Sequence, residues 1–189
     1  MLYLIVITVG AVCIAALHAA VSLGWAQFPL ALAWTALAVA VAIAIDGVLA
    51  FLVRRLPERF FRADAPLFRV GSRERRLWRK IGVQRWKDLV PELGMFTGFR
   101  KSKFDSATDA EYLARFLLES NYGVLGHLLG AAFGFAIIAV PCIGGVTVGL
   151  PVAIVNAVLS LMPCAILRYH TPPLTRLWRR SLGNRDTAE

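Results

Sequence analysis

Of the ionisable side chains in or beside long apolar segments, we single out three that could do chemistry there: Asp46, Glu119 and His127. An ionisable residue inside a membrane-spanning segment is costly and is a functional-site hypothesis by default. A carboxylate that orients an imidazole and stabilises its protonated form is the arrangement that activates a hydroxyl nucleophile for acyl transfer. We therefore predict His127 as a general base, with Asp46 or Glu119 orienting it.

The depth of these groups permits a contact between Asp46 and His127. With inner helix ends at Val53 and Tyr122, Asp46 lies about 10 Å and His127 about 8 Å within the bilayer, at about 1.5 Å per helical residue. Structural explanations stay open. His127 could hydrogen-bond across helices for packing alone, and Asp46 could face water or bond to backbone.

Gly126, Gly130 and Gly134 are spaced four residues apart in the segment that carries His127. This spacing puts them on one helical face, where small residues let a neighbouring helix approach closely. His127 lies about 100° around the helix from that face. We therefore expect it to point along the seam between helices rather than at lipid.

The elements that must position these residues are membrane helices. Of the 189 residues, 58% are hydrophobic, and the mean hydropathy is +0.62, which is too apolar for an ordinary soluble domain. The pattern predicts an all-α, polytopic membrane protein: one membrane domain of four transmembrane helices in two hairpins, with a basic interfacial helical loop between them. The predicted segments are the spans 2–25, 29–53, 122–143 and 145–167, the amphipathic loop 54–121 and the tail 168–189, of which 183–189 is expected to be disordered.

The net charge of +9 is concentrated outside the apolar spans. Residues 54–119 hold 16 Lys or Arg against 9 Asp or Glu, and 168–189 hold 5 against 2. Because basic segments stay on the cytoplasmic side, both termini are predicted to be cytoplasmic. Such flanks bind anionic membrane lipids, so no nucleic-acid partner is predicted. The three cysteines have no paired or metal-binding spacing, and we predict no disulfide, no metal site and no bound cofactor.

Tryptophans and aliphatic residues mix with cations in the basic loop, which is typical of a segment lying in the lipid headgroup layer. The pattern is interrupted at Gly82, so two short helical pieces are expected there. Thr108 and Glu111 form a capping box, T-x-x-E. An amphipathic helix is predicted to begin there and to continue into the third span.

Five short segments, taken in their order and spacing, resemble one family of small membrane enzymes. They are LPERFFR at 56–62, WRK at 78–80, VQRWKDLVP at 83–91, Glu119-Ser120 with His127 eight residues after the Glu, and RYHTPPLTR at 168–176. On these segments the chain resembles the glycosyl-4,4'-diaponeurosporenoate acyltransferases. It departs from them in one place, since Tyr122, Gly123 and Val124 stand where the family's helix has Arg, Ala and a second Glu.

The resemblance implies a membrane O-acyltransferase of a bacterial-type inner (cell) membrane. The enzyme would move a fatty acyl group from an acyl-CoA or acyl carrier protein thioester to a sugar hydroxyl of a glycosylated carotenoid or glycolipid. The residues expected to contact substrate are Arg85, Trp86, Lys87, Arg168, Tyr169 and His170. Plain attachment to anionic lipid stays open for the loop residues among them.

A non-catalytic alternative also stays open. The chain could be a scaffold or small subunit that binds another membrane protein through the face formed by Gly126, Gly130 and Gly134. Tyr122 and Val124, which replace charged residues of the family, favour this alternative.

Overall fold

A computed structural model describes residues 2–62, 65–90, 110–140 and 145–186. These residues form helices and short turns, and there is no β-strand among them. The helices are α1 (Leu2–His18), α2 (Phe28–Arg55), α3 (Ser72–Lys80), α4 (Val83–Trp86), α5 (Ala110–Phe133) and α6 (Gly145–Asp186).

Four helical segments in the described part of the chain are long and apolar enough to cross a membrane. They are Leu4–Leu23, Trp25–Arg55, Ala110–Ala139 and Gly145–Gly183. The prediction of an all-α membrane protein with four spans is therefore confirmed. The arrangement of the spans in two hairpins and the cytoplasmic position of the termini stay predictions.

Two helices extend well beyond the apolar segments that the sequence identifies. α5 begins at Ala110, so the amphipathic helix expected before the third span is continuous with it, although Thr108 of the capping box lies outside the described residues. α6 continues to Asp186, where the composition predicts disorder from Gly183 onward. Hydropathy detects only the apolar part of a helix, because an amphipathic part is stabilised by packing one face.

α6 passes through Pro172 and Pro173 without a break. A proline lacks the N–H that would bond to the carbonyl four residues earlier, so such a pair usually weakens a helix. Hydroxyl groups bond back to the helix on both sides of the pair. Thr171 Oγ1 donates to the Leu167 carbonyl at 2.9 Å, and Thr175 Oγ1 donates to the Thr171 carbonyl at 2.9 Å.

The chain divides into two compact units. The membrane unit contains Met1–Arg55 and Leu125–Met162, and the basic unit contains Leu56–Val124 and Pro163–Glu189. α5 and α6 each contribute residues to both units.

The membrane unit packs through small residues. Ala15, Ala19 and Ala31 are fully buried where α1 and the turn after it meet α2. A second cluster includes residues of α1, of α2, of α6 and of the turn that follows α5. Its members are Ile14, Ala38, Ala42, Ile137, Val148, Val152 and Ala153. Because lipid tails are as apolar as leucine, close packing rather than hydrophobic burial holds such helices together. One polar link, between His18 Nδ1 and Thr147 Oγ1 at 2.8 Å, joins α1 to α6.

The basic unit has an aromatic core. The ring of Phe61 lies 5.7 Å from that of Phe68 and 4.1 Å from that of Tyr122, measured between centroids. Asn121 is buried and its Nδ2 donates to the Phe61 carbonyl at 2.8 Å, which ties the turn at Glu58–Phe61 to α5. A further cluster between α5 and α6 consists of Leu113, Phe116, Leu117 and Leu174.

The described part of the basic loop contains two short α-helices on either side of Gly82, as its sequence predicts. α3 ends at Lys80, and α4 begins at Val83 after Gly82, which has a φ of +69°. This left-handed conformation has little steric cost for glycine alone. The interruption at Gly82 therefore lets the chain turn between two short helices.

Candidate functional site

Asp46 lies on α2 in the membrane unit, where its carboxylate meets two neutral donors of α6. Asn156 Nδ2 lies 3.4 Å from Asp46 Oδ1, and Ser160 Oγ lies 3.4 Å from Oδ2. Asn156 Nδ2 also lies 3.4 Å from the carbonyl oxygen of Gly130 on α5. These distances are long for hydrogen bonds. Because a carboxylate can accept about four bonds, Asp46 keeps the capacity to accept from a further donor.

Gly130 of α5 and Gly134 of the turn after it create the space for this cluster. A Cβ added at Gly130 would lie 2.6 Å from Asp46 Oδ1, and one added at Gly134 would lie 2.6 Å from Asn156 Nδ2. The predicted close approach is confirmed at these two positions. It is wrong at Gly126, where a Cβ would meet nothing within 4 Å.

His127 is half-buried on α5 and precedes Gly130 by three residues. Three residues advance a helix by about 4.5 Å, so His127 lies within one turn of the glycine that contacts the Asp46 carboxylate. The pairing of the two as a base and its orienting acid stays a prediction.

Glu119, the other predicted orienting acid, belongs to the basic unit. Its Oε1 accepts from Arg115 Nη2 at 3.1 Å, across one turn of α5. The side chains of Arg115 and Glu119 are 60% and 13% exposed, and an ion pair across one helical turn contributes little to stability. Glu119 directly precedes Ser120, whose side chain lines a cavity.

This cavity, of about 370 Å³, brings residues of the loop and the tail together in the basic unit. Its polar lining residues are Lys87, Asp88, Ser120 and His170, and its apolar lining residues are Phe116, Ile166, Leu167, Pro173, Leu174 and Leu177. We call it the amphipathic cavity. Its volume lies in the range of small-molecule sites. An imidazole and an ammonium group beside a hydrocarbon wall suit a ligand with an apolar chain and a polar reactive group.

The predicted loop residues differ in what they contact. Lys87 lines the amphipathic cavity, and its Nζ lies 2.9 Å from Asp88 Oδ1. Trp86 Nε1 donates to the Ile81 carbonyl at 3.1 Å and closes the turn between α3 and α4. Arg85 is exposed and lies outside the cavity lining. The structure therefore brings one of the three to the cavity.

The predicted tail residues also differ. His170 lines the amphipathic cavity and lies edge-on to the Tyr169 ring at 5.2 Å between centroids. The Tyr169 hydroxyl donates to Gln84 Oε1 at 3.4 Å, a long bond between α6 and α4. Of the three predicted tail residues, His170 is thus the one that a ligand in the cavity would touch.

Arg168, the third tail residue, holds three segments of the basic unit together. Its Nε and Nη2 bond to the two carboxylate oxygens of Glu74 on α3, the second at 2.8 Å, and its Nη1 donates to the Leu67 carbonyl at 2.7 Å. We call this group the Arg168 clamp. Trp78 Nε1 also donates to Glu74 Oε1, at 3.0 Å. The Arg168 hydrogen bond holds the pKa of the Glu74 carboxyl below its ordinary value of 4.5, although partial burial acts in the opposite direction.

The three positions that depart from the family pattern all pack inside the basic unit. The Tyr122 ring packs at a tilt against the Phe61 ring, and Val124 is 1% exposed. A Cβ at Gly123 would lie 2.8 Å from Leu167 Cδ1. An Arg or Glu at such positions would require a buried charge to be paired. In this chain the departures therefore form core contacts.

Several polar residues of these sites were not predicted as site residues from the sequence. Ser120 could have been found, since it follows Glu119 directly in a segment that resembles the family. Asn156 and Ser160 are four residues apart on one helix, which puts both on the face that meets Asp46. Glu74 carries no such signal, because its partner Arg168 lies 94 residues away in sequence.

Comparison with known proteins identifies a family. The model of the glycosyl-4,4'-diaponeurosporenoate acyltransferase family matches residues 57–180, well over half of the chain. The matched range contains Glu119, His127 and every residue of the amphipathic cavity, whereas Asp46 lies outside it. No curated protein and no solved structure matches the chain.

Proposed function

Because this chain belongs to the glycosyl-4,4'-diaponeurosporenoate acyltransferase family, we propose that it transfers a fatty acyl group from an acyl thioester to a sugar hydroxyl of a glycosylated carotenoid in the membrane. The thioester is carried by coenzyme A or by an acyl carrier protein. The family supports the acyl transfer and the carotenoid glycoside. The choice of donor is our proposal.

The lining of the amphipathic cavity carries this proposal for the site. Six apolar residues can cover the acyl chain next to the thioester, and each methylene removed from water contributes about 0.8 kcal/mol. Lys87 and His170 bring a cation and an imidazole to the same space. A thioester that enters chain first would leave its carbonyl near these polar groups.

The reaction needs one base and no group beyond the two substrates. The His170 imidazole accepts the proton of the sugar hydroxyl while the hydroxyl oxygen attacks the thioester carbonyl. The carbon–oxygen bond forms, the carbon–sulfur bond breaks, and the thiolate takes up the proton and leaves as a thiol. Histidine suits this role because its ordinary pKa lies near neutral pH. The Lys87 ammonium pairs with Asp88 at 2.9 Å and has further N–H groups that can donate to the oxyanion that forms on the carbonyl.

His127 is the alternative base for the same function. The sequence predicts it in this role with Asp46 or Glu119 as its orienting acid, and the family match includes His127 and Glu119. The observation that favours His170 is its position in the lining of a cavity large enough for a ligand. Histidine variants distinguish the two.

The scaffold alternative is less well supported, because two of the three glycines of its proposed face are covered within the chain. Gly130 and Gly134 are buried, and the space beside them is filled by Asp46 and Asn156 of the same chain. A partner helix has no access to those two positions. We therefore do not propose that function.

The test compares the chain's three histidines as glutamine variants. Purified protein is given a long-chain acyl-CoA and a glycosylated carotenoid, and the ester product is measured by mass spectrometry. His170→Gln should lower kcat about 100-fold or more, because general-base catalysis contributes about 10² to 10⁴.

His18→Gln is the matched control, since His18 bonds to Thr147 in the membrane unit and lies outside the cavity. It should retain wild-type kcat per folded molecule. A 100-fold loss in His127→Gln with full activity in His170→Gln would move the base to His127. Full activity in all three variants would leave the reaction without a histidine base and would contradict the proposed mechanism.

A further inference from the structure

A second cavity of the basic unit, of about 190 Å³, is surrounded by arginines. Its lining residues are Phe68, Arg69, Val70, Arg75, Thr171, Pro172, Thr175, Arg176 and Arg179. We call it the arginine groove. Within the described residues, no carboxylate lines it, and none of its four guanidinium groups pairs with a carboxylate. Among the described residues, the groove therefore presents four positive charges without a paired carboxylate to one small space.

The two cavities lie on opposite faces of α6. At 100° per residue, His170 and Leu177 of the amphipathic cavity point about 180° away from Thr175 and Arg179 of the arginine groove. Arg176 and Arg179 are three residues apart, so they lie on the same face. The α6 contribution to the groove is thus distinct from the surface assigned to the acyl group.

The Arg168 clamp fixes the other walls of the groove. Its bond to the Leu67 carbonyl holds the segment that continues into Phe68 and Arg69. Its bonds to Glu74 hold the first turn of α3, where Arg75 is the next residue. Because the nearest acid in the sequence is committed to Arg168, it is not available to neutralise Arg75.

These four charges are better explained by ligand binding than by a role in stabilising the fold. All four arginines are exposed, so water and salt weaken the repulsion between their charges. They nevertheless gain no partner within the described residues. Guanidinium groups bind phosphate through paired N–H bonds, and the groove volume equals about six water molecules at roughly 30 Å³ each.

We propose that the arginine groove binds the phosphate groups of phosphoesters at the membrane surface. Two sources have this chemistry: the nucleotide part of coenzyme A and the headgroup of an anionic phospholipid. The first source would make the groove the second half of the donor site and rests on the proposed function. The proposal that the groove binds phosphate groups does not depend on the proposed function.

The experiment uses two double variants of the full chain in nanodiscs of phosphatidylcholine. Arg75→Gln with Arg179→Gln removes two charges from the groove. Arg76→Gln with Arg180→Gln removes two charges from the adjacent, exposed positions of the same helices, which lie outside the groove lining. Circular dichroism checks that all proteins fold alike.

Two ligands are measured without any acceptor, so failure of acyl transfer leaves the binding result intact. One arm titrates coenzyme A by calorimetry, with pantetheine as the phosphate-free probe. The other arm extracts the proteins from bilayers containing phosphatidylglycerol and counts retained lipid by native mass spectrometry. The groove variant should lose at least tenfold in affinity for coenzyme A or in retained phosphatidylglycerol, and the control variant less than threefold.

The arm in which binding is lost identifies which phosphoester the groove binds. Loss of coenzyme A binding identifies the nucleotide part of the donor, and loss of phosphatidylglycerol alone identifies an anionic lipid headgroup. Equal losses in the two double variants would mean that net charge rather than the groove binds phosphate. That result, or no loss in either arm, would overturn the proposal.

Discussion

Asp46 and Glu74 are two half-buried carboxylates that receive hydrogen bonds from the same helix, α6, in different surroundings. Asp46, in the membrane unit, meets the amide of Asn156 and the hydroxyl of Ser160, both at 3.4 Å. Glu74, in the basic unit, meets the guanidinium of Arg168 through two bonds. A charged Arg is costly inside an apolar membrane segment. Asp46 is therefore bonded by neutral donors, whereas Glu74 is bonded by a guanidinium.

The Asp46 carboxylate can still accept a hydrogen bond from another group, whereas the Glu74 carboxylate is already bonded to charged and polar donors. Two long bonds to neutral groups leave Asp46 able to accept from another donor, such as an imidazole. A two-pronged bond to Arg168 and a third bond to Trp78 leave Glu74 as a structural group. A polar residue of this chain is therefore better judged by the strength of its existing bonds than by its charge.

The largest effect is expected from removing the guanidinium of the Arg168 clamp. Arg168→Met leaves Glu74 without its charged donor and releases the Leu67 carbonyl. Hydrogen bonds to charged groups contribute about 1.5 to 3 kcal/mol, so the free energy of unfolding should fall by about 3 kcal/mol. Equilibrium unfolding in mixed micelles measures it, with the exposed Arg180→Met of the same helix as the control. Equal stability of the two variants would remove the contrast between Glu74 and Asp46.

A smaller effect is expected at the Asp46 cluster. Gly130→Ala puts a Cβ 2.6 Å from Asp46 Oδ1, so the carboxylate must shift away from Asn156 and Ser160. The expected loss is about 1 to 2 kcal/mol of unfolding free energy, the range for overpacking. Gly126→Ala is the matched control, and it should be neutral or stabilising because its Cβ meets open space and Ala favours helix. A Gly130→Ala protein as stable as the Gly126→Ala protein would mean that the cluster is loosely held.

The pH dependence of stability sharpens the account of Glu74. Arg168 lowers the pKa of the Glu74 carboxyl in the folded state. The contribution of this carboxyl to the free energy of unfolding is therefore complete above its ordinary pKa and is lost as pH falls through its lowered pKa in the folded state. The expected contribution is of order 1 kcal/mol. Thermal midpoints between neutral and acidic pH should therefore fall less steeply for Glu74→Gln than for the unmodified protein. Parallel curves for the two proteins would show that this carboxyl carries no such linkage.

The smallest effect is expected for a third carboxylate, Asp88. Its side chain is 80% exposed and pairs with Lys87 at 2.9 Å. Exposed pairs contribute about 0.5 kcal/mol or less and are screened by salt. Asp88→Asn should thus leave the free energy of unfolding within that range at high salt. If Asp88→Asn lowered the free energy of unfolding as much as Arg168→Met, the effect of a carboxylate on stability would not depend on how short and how buried its hydrogen bonds are.

The sequence predicts the spans and the short helices well, because hydrophobic runs and Gly82 are local signals. It also identifies residues of the amphipathic cavity, Lys87 and His170, through their positions in segments that resemble the family. It does not predict which donors meet Asp46 or that Glu74 binds Arg168. Those partners lie 94 to 114 residues apart, and nothing in a local pattern specifies which faces of two distant helices meet.

The extension of α6 to Asp186 and its continuation through four prolines, including the adjacent pair Pro172 and Pro173, also lie beyond local signals. Prolines predict a break, and packing with side-chain bonds prevents it. Similarly, the loss of the family's charged residues at Tyr122 and Val124 suggests lost function when only residue types are compared. Their burial gives them a packing role that the sequence does not reveal.

The bond from Trp78 to Glu74 gives the protein an optical indicator of its own. An indole ring whose N–H is held by a carboxylate changes its fluorescence when that carboxylate moves or takes up a proton. With the other four tryptophans replaced by phenylalanine, the emission of Trp78 would follow the state of the Arg168 clamp in real time, without an attached dye.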